Sequence, residues 1–262
     1  METRSILVVT DLSLSGRCAL NHALAVAQAT GAHLHLLYTV RRNREVPRGK
    51  VALYALAEEA KLQHANQVAR HIRVGPGWVA TAQLAEEVEA DLIVMGSNLV
   101  AGLPKLFGHP ALKLFDRCCR PFVVVQDREA LGEFRRIVLP VEPDPDFNRQ
   151  LQVTAALAAS CQSRVFLLAR RCQKIASQRL LQEKIELGTR FLRRKGIAAQ
   201  LAFASGKQDF AQEVLSYAQE VAADLITVRH LPEQRYWFRG FEPQILTNAQ
   251  QIPALVVSPL AK

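Results

Sequence analysis

AEEVEADLI at residues 85–93 returns as AQEVAADLI at residues 218–226, identical at seven of nine positions and displaced by 133. Outward from this pair, ILVVTD (6–11) aligns with IVLPVE (137–142) at a displacement of 131, and PFVVV (121–125) with PALVV (253–257) at 132. Three separate stretches keep nearly one register in the same order, which chance alternation of strand and helix residues does not do. The 262 residues therefore read as a tandem duplication of a domain of about 130 residues, an ordinary domain size. The expected boundaries are 1–126 for the first domain, 127–134 for a charged linker and 135–262 for the second, degenerate copy.

Within the first copy, ILVV (6–9), LHLLYTV (34–40), LIVM (92–95) and FVVV (122–125) are continuous β-rich apolar runs. Strands apolar on both faces belong to a parallel sheet buried between helices. Between the first two runs, Leu20, Ala23, Leu24 and Ala27 fall on one helical stripe, with Ser13 or Ser15 placed to cap it. KVALYALAEEAKLQHA and WVATAQLAEEVEA read as two further helices, and NQVARHIRVG as a more polar strand near a sheet edge. Alternating β and α implies an α/β fold with right-handed crossovers. Ligands of such sheets bind beyond the carboxyl ends of the strands, at the switch point in strand order. That rule singles out Thr10 and Asp11, Val40 to Arg42, and Gly96 to Gly108.

Composition narrows the class without choosing a function. Hydrophobic residues make up 49% and charged residues 22%, as in globular proteins. No apolar run approaches the ~20 residues that span a bilayer, and METRSILVV enters a strand pattern too early for a signal peptide, so the expectation is a cytoplasmic protein with no membrane association. Five cysteines without C-x-x-C or zinc spacing fit reduced thiols, with Cys118 and Cys119 as buried filler at a helix end. The net charge of +9 favours anionic partners, but no helix-turn-helix, zinc finger or ribonucleoprotein aromatic motif supports nucleic acid.

The stretches ILVVTDLSLSGRCALNHALAVAQATGAHLHLLYTV, ADLIVMGSNLVAGL and ALKLFDRCCRPFVVV resemble the universal stress protein family in its tandem form, over nearly the whole chain. The resemblance implies two copies of a five-stranded parallel-sheet domain of the adenine-nucleotide alpha-hydrolase-like, Rossmann-like kind. It also implies an internal pseudo-dimer formed within one chain, with further homodimerisation left open.

Many members of that family bind ATP through a loop of the form Gly-x2-Gly-x9-Gly followed by Ser or Thr. Glycines let backbone N–H groups reach phosphate, and a helix N-terminus adds its dipole. By resemblance, Asp11 takes the nucleoside-contacting place, preceded by Thr10. Val40 takes the place whose backbone faces adenine, and Met95 and Gly96 the strand end and first glycine. Leu99 then stands at the second glycine, with Gly102 three residues on. Gly108 matches the last glycine only if the loop is one residue shorter, and His109, followed by Pro110, replaces the Ser or Thr. A histidine at a helix start can still donate to phosphate. In the second copy Glu142 replaces the aspartate, Val228-Arg229 replaces Met-Gly, and RHLPEQRYWFRGFEPQ has Gly240 as its only glycine. That loop is expected to fill a site rather than to cradle a triphosphate.

Other constellations are weaker. Arg41 and Arg42 in the first copy and Arg170 and Arg171 in the second follow equivalent strands and could line an anion or protein-partner surface, together with Arg229, Arg235 and Arg239; charge runs are more often solvated. His33 and His35 alternate on one strand face without a completing ligand motif and are expected to be tucked beneath a helix. Asp91 reads as a turn residue. No nucleophile elbow, Walker loop or metal cluster emerges. The expectation is a non-enzymatic stress-response or regulatory protein that binds ATP, with Mg, in the N-terminal domain only. The alternative is an interaction scaffold that has lost the nucleotide and meets anionic or protein partners through its basic surface.

Overall fold

The computed structural model describes residues 3–62, 68–97, 110–126, 133–144, 146–230 and 241–259. It divides into two compact units, one within residues 3–133 and the other within 134–259. Gly102, Gly108, His109, Leu99, Arg235, Arg239 and the aromatic stretch 236–238 lie outside the described residues.

The first unit runs β1 (Ser5–Thr10), α1 (Leu14–Thr30), β2 (His33–Val40), α2 (Val46–Leu62), β3 (Val68–Val74), α3 (Gly77–Glu87), β4 (Leu92–Gly96), α4 (Pro110–Arg117) and β5 (Phe122–Val125). Its strands lie in the order β3-β2-β1-β4-β5, every pair parallel. The second unit repeats the plan with β6 (Arg136–Val141), α5 (Phe147–Cys161), β7 (Arg164–Ala169), α6 (Ile175–Arg194), β8 (Ala199–Phe203), α7 (Phe210–Glu220), β9 (Leu225–Arg229), α8 (Phe241–Leu246) and β10 (Ala254–Val257). Its order is β8-β7-β6-β9-β10, again all parallel. The α/β class and the parallel sheets expected from the apolar runs are what the chain adopts.

Local chemistry explains the element ends. Ser13, not Ser15, caps α1: its side chain accepts from the Gly16 N–H, and Gly31 closes the helix in the left-handed region at φ 71°. Ile6 to Val9 are buried because β1 has strands on both sides and helices on both faces. β3, at one end of its strand order, is only half-buried, in keeping with its polar sequence. Phe115 and Phe122 meet at 4.8 Å in the first core, while Phe134 and Phe147 are buried in the second.

The best-preserved repeat stretch proves to be a clasp. Asp91 Oδ2 accepts the backbone N–H groups of Arg4 at 2.8 Å and Ser5 at 3.2 Å, fastening the start of β1 to the start of β4. Asp224 does the same for Arg135 at 2.8 Å and Arg136 at 3.0 Å ahead of β6. Burial pushes the Asp224 carboxyl up to about 6, outweighing the backbone N–H bonds that hold it down. Asp91 is thus more than a turn residue.

Cys118 is buried, and burial pushes its thiol up, away from the reactive thiolate, as expected of filler; Cys119, expected to be buried with it, is only half-buried. Among the described residues no helix is long and apolar enough to cross a membrane.

Candidate functional site

In the first unit the strand order reverses between β1 and β4, so a ligand crevice belongs above their carboxyl ends. Thr10 is buried there, its Oγ1 accepting the Leu12 N–H at 3.0 Å. Leu12 takes a left-handed φ of 64°, which turns the chain sharply into α1. Asp11 is half-buried; its Oδ1 accepts the Ser13 N–H at 3.0 Å and the Ser13 hydroxyl. Its Oδ2 has no partner among the described residues.

Met95 is buried and Gly96 is pressed against the start of α1. A Cβ on Gly96 would meet Ser15 Oγ at 2.7 Å and the Gly16 nitrogen at 2.9 Å. The first glycine of the expected loop is therefore demanded by strand-to-helix packing, whether or not phosphate ever arrives. One strand over, Val40 gives its carbonyl to the Gly75 N–H at 2.9 Å. Beside it opens a hollow of about 450 Å³ lined by Thr39, Val40, Arg41, Gly75, Pro76 and Gly77. Arg42, exposed, precedes a short 3-10 turn at Asn43–Glu45.

The equivalent edge of the second unit is built differently. Glu142, at the place of Asp11, pairs with Arg170 at 2.5 Å, and the Arg170 guanidinium lies 5.3 Å over the Phe210 ring. Phe210 in turn stacks on Phe241 at 5.6 Å. Arg229, at the place of Gly96, forks onto Asp144 and reaches Asp146. Burial lowers the Arg229 pKa and the nearby Glu142 charge raises it. A pocket of about 670 Å³ remains, lined among others by Arg170, Arg171, Lys174, Phe210, Arg229 and Phe241. Arg171 donates to the Ser205 carbonyl at 3.1 Å, and neither it nor Lys174 is ion-paired among the described residues. Glu142, Asp144, Asp209 and Glu242 line the same pocket, so its four cations share it with four carboxylates.

Residues 2–126 match the Universal stress protein family. The first unit is similar to universal stress protein domains along its length. A universal stress protein from Archaeoglobus fulgidus DSM 4304 shares 15% identity at a TM-score of 0.71, the alignment covering 98% of this chain and 97% of that one. A functionally unknown protein from Pseudomonas aeruginosa PAO1 gives 17% identity and a TM-score of 0.67, covering 98% and 93%. At such identities the likeness is one of fold, and it runs through both halves of the chain. No curated protein matches the chain significantly.

The first unit brings Thr10, Asp11, Met95 and Gly96 to one edge, with Val40 and Arg41 on the hollow beside it. Arg170, Arg171 and Arg229 all line the pocket of the second unit. Lys174 belongs to the basic stretch RRCQK (170–174) and Phe241 to the loop RHLPEQRYWFRGFEPQ, both singled out in the sequence; Phe210, at a helix start far from either, was missed. Sequence reading also missed the partner of His35. His35 is half-buried, with Nδ1 3.1 Å from Nε2 of His71 on β3, whereas His33 is exposed. Burial, then the charges of His71 and His33, hold His35 below the usual histidine value; burial, then Arg73, holds His71 below it, with Glu87 opposing.

Proposed function

We propose that the protein is a non-enzymatic stress-response regulator whose universal stress protein domain binds an adenine nucleotide, ATP with Mg. The carrying observation is the Oδ2 of Asp11, without a partner among the described residues, at the switch point one strand away from the hollow beside Val40. A carboxylate oxygen so placed accepts from a ribose hydroxyl, and the small residues Gly75, Pro76 and Gly77 leave room for a flat base. The phosphates would fall to the loop containing Gly102, Gly108 and His109. No nucleophile or general base is assigned, because the reading needs only binding.

The test is calorimetric titration with MgATP of the wild type and Asp11→Ala. A charge-assisted hydrogen bond contributes about 1.5–3 kcal/mol, so the variant should bind roughly tenfold to a hundredfold more weakly. Equal affinity would remove Asp11 from the site.

The pocket of the second unit favours a second reading, in which the protein meets an anionic partner there. Arg171 and Lys174 face the pocket outside any ion pair among the described residues, and the Phe210–Phe241 pair supplies an apolar wall. Partner binding by this route should weaken as salt rises and fall in Arg171→Ala and Lys174→Ala. Salt-insensitive binding would count against it.

A further inference from the structure

The sheet face under α3 carries a pair of imidazoles that neither reading uses. In the parallel register His71 stands opposite Leu37, so His35 and His71 sit diagonally across β2 and β3 on one face. Their rings lie 5.3 Å apart with 29° between the planes, and His35 Nδ1 is 3.1 Å from His71 Nε2. Zn–N bonds of about 2.0–2.1 Å, at angles from square to tetrahedral, separate two ligand nitrogens by about 2.9–3.4 Å. The spacing already present is a chelating spacing.

We propose that His35 and His71 form an open site for a first-row divalent transition metal, Cu2+ first and Zn2+ next, with water completing the coordination. Imidazole nitrogen suits these ions, and Cu2+ heads the affinity order. Among the described residues no group of three or more ligand-type side chains gathers, so the protein supplies two nitrogens and leaves the remaining positions open. The neighbouring charges do not oppose a dication: Arg73, on the same face of β3, is engaged by Glu87 of α3 at 2.5 Å. His33, on the same face of β2, is exposed at the strand start.

The exchange balances without a co-reactant. In the free protein one ring donates its N–H to the lone pair of the other. On binding, that proton moves to the far nitrogen of its own ring, both facing lone pairs go to the metal, and two waters leave the aquo ion. A small rotation of each ring is enough, because the nitrogens need not separate.

Full-length protein titrated with Cu2+ alone should take up one equivalent with nitrogen hyperfine structure in its electron paramagnetic resonance spectrum. His35→Ala and His71→Ala should each bind at least about tenfold more weakly, by comparison with the loss when a metal ligand's support is removed. His35→Gln, which keeps a polar group of similar size, guards against a variant that fails to fold. The Cys119→Ser/Cys172→Ser variant should bind as the wild type does. Unchanged affinity in the folded histidine variants, loss in the cysteine variant, or no nitrogen-coordinated copper in the wild type would each overturn the site.

Discussion

Glu89 and Ala222 occupy the same place in the two repeats, two residues ahead of the clasp aspartates, and both take left-handed backbone, with φ 48° and 49°. For an L-residue that region costs about 1–2 kcal/mol, of which glycine's extra freedom in the unfolded chain returns roughly half. Ala222 is exposed, so burial of its methyl does not offset the cost. Ala222→Gly should therefore stabilise the protein by about 0.5–1 kcal/mol, seen as a higher urea midpoint at unchanged slope. A lower midpoint would mean that the methyl group carries a contact. The same scale shows how far sequence alone reaches. Asp91 and Asp224 stand out because the repeat keeps them, yet their role is invisible without the fold: the N–H groups they hold lie more than eighty residues upstream.

At the scale of elements, the packing of β4 on α1 decides what Gly96 is for. A Cβ there meets Ser15 and the Gly16 backbone below 3.0 Å, and backbone does not yield cheaply. Gly96→Ala is expected to destabilise by about 1–3 kcal/mol in the absence of any nucleotide, as measured by urea unfolding. An unaffected midpoint would return Gly96 to a purely ligand-directed role. The strands were legible from their apolar runs, and β3 from its polarity, because burial on both faces leaves a composition that no helix surface shares. What stayed hidden needed register or convergence. His71 meets His35 only through a diagonal across two strands. The second pocket takes Phe210 from the start of α7, outside the basic and aromatic stretches that supply Lys174 and Phe241. Asp11 was legible because it directly follows a strand whose end is fixed by its own pattern.

For the molecule as a whole, the two halves share one architecture and differ at its working edge. One offers a carboxylate oxygen with no partner among the described residues, and a glycine; the other has Glu142 and Arg229 already ion-paired at those places. MgATP should accordingly saturate at one equivalent per chain. Two equivalents would mean that the ion pairs of the second half open to admit nucleotide. The strand order has a consequence for synthesis as well. β1 leaves the ribosome well before one of its two neighbours, β4, which ends only at Gly96. At roughly 5–20 residues per second, ILVV waits several seconds with one side bare. β6 waits as long again for β9. The nascent chain thus presents the same sticky apolar strand twice during translation, each time a handhold for a ribosome-associated chaperone.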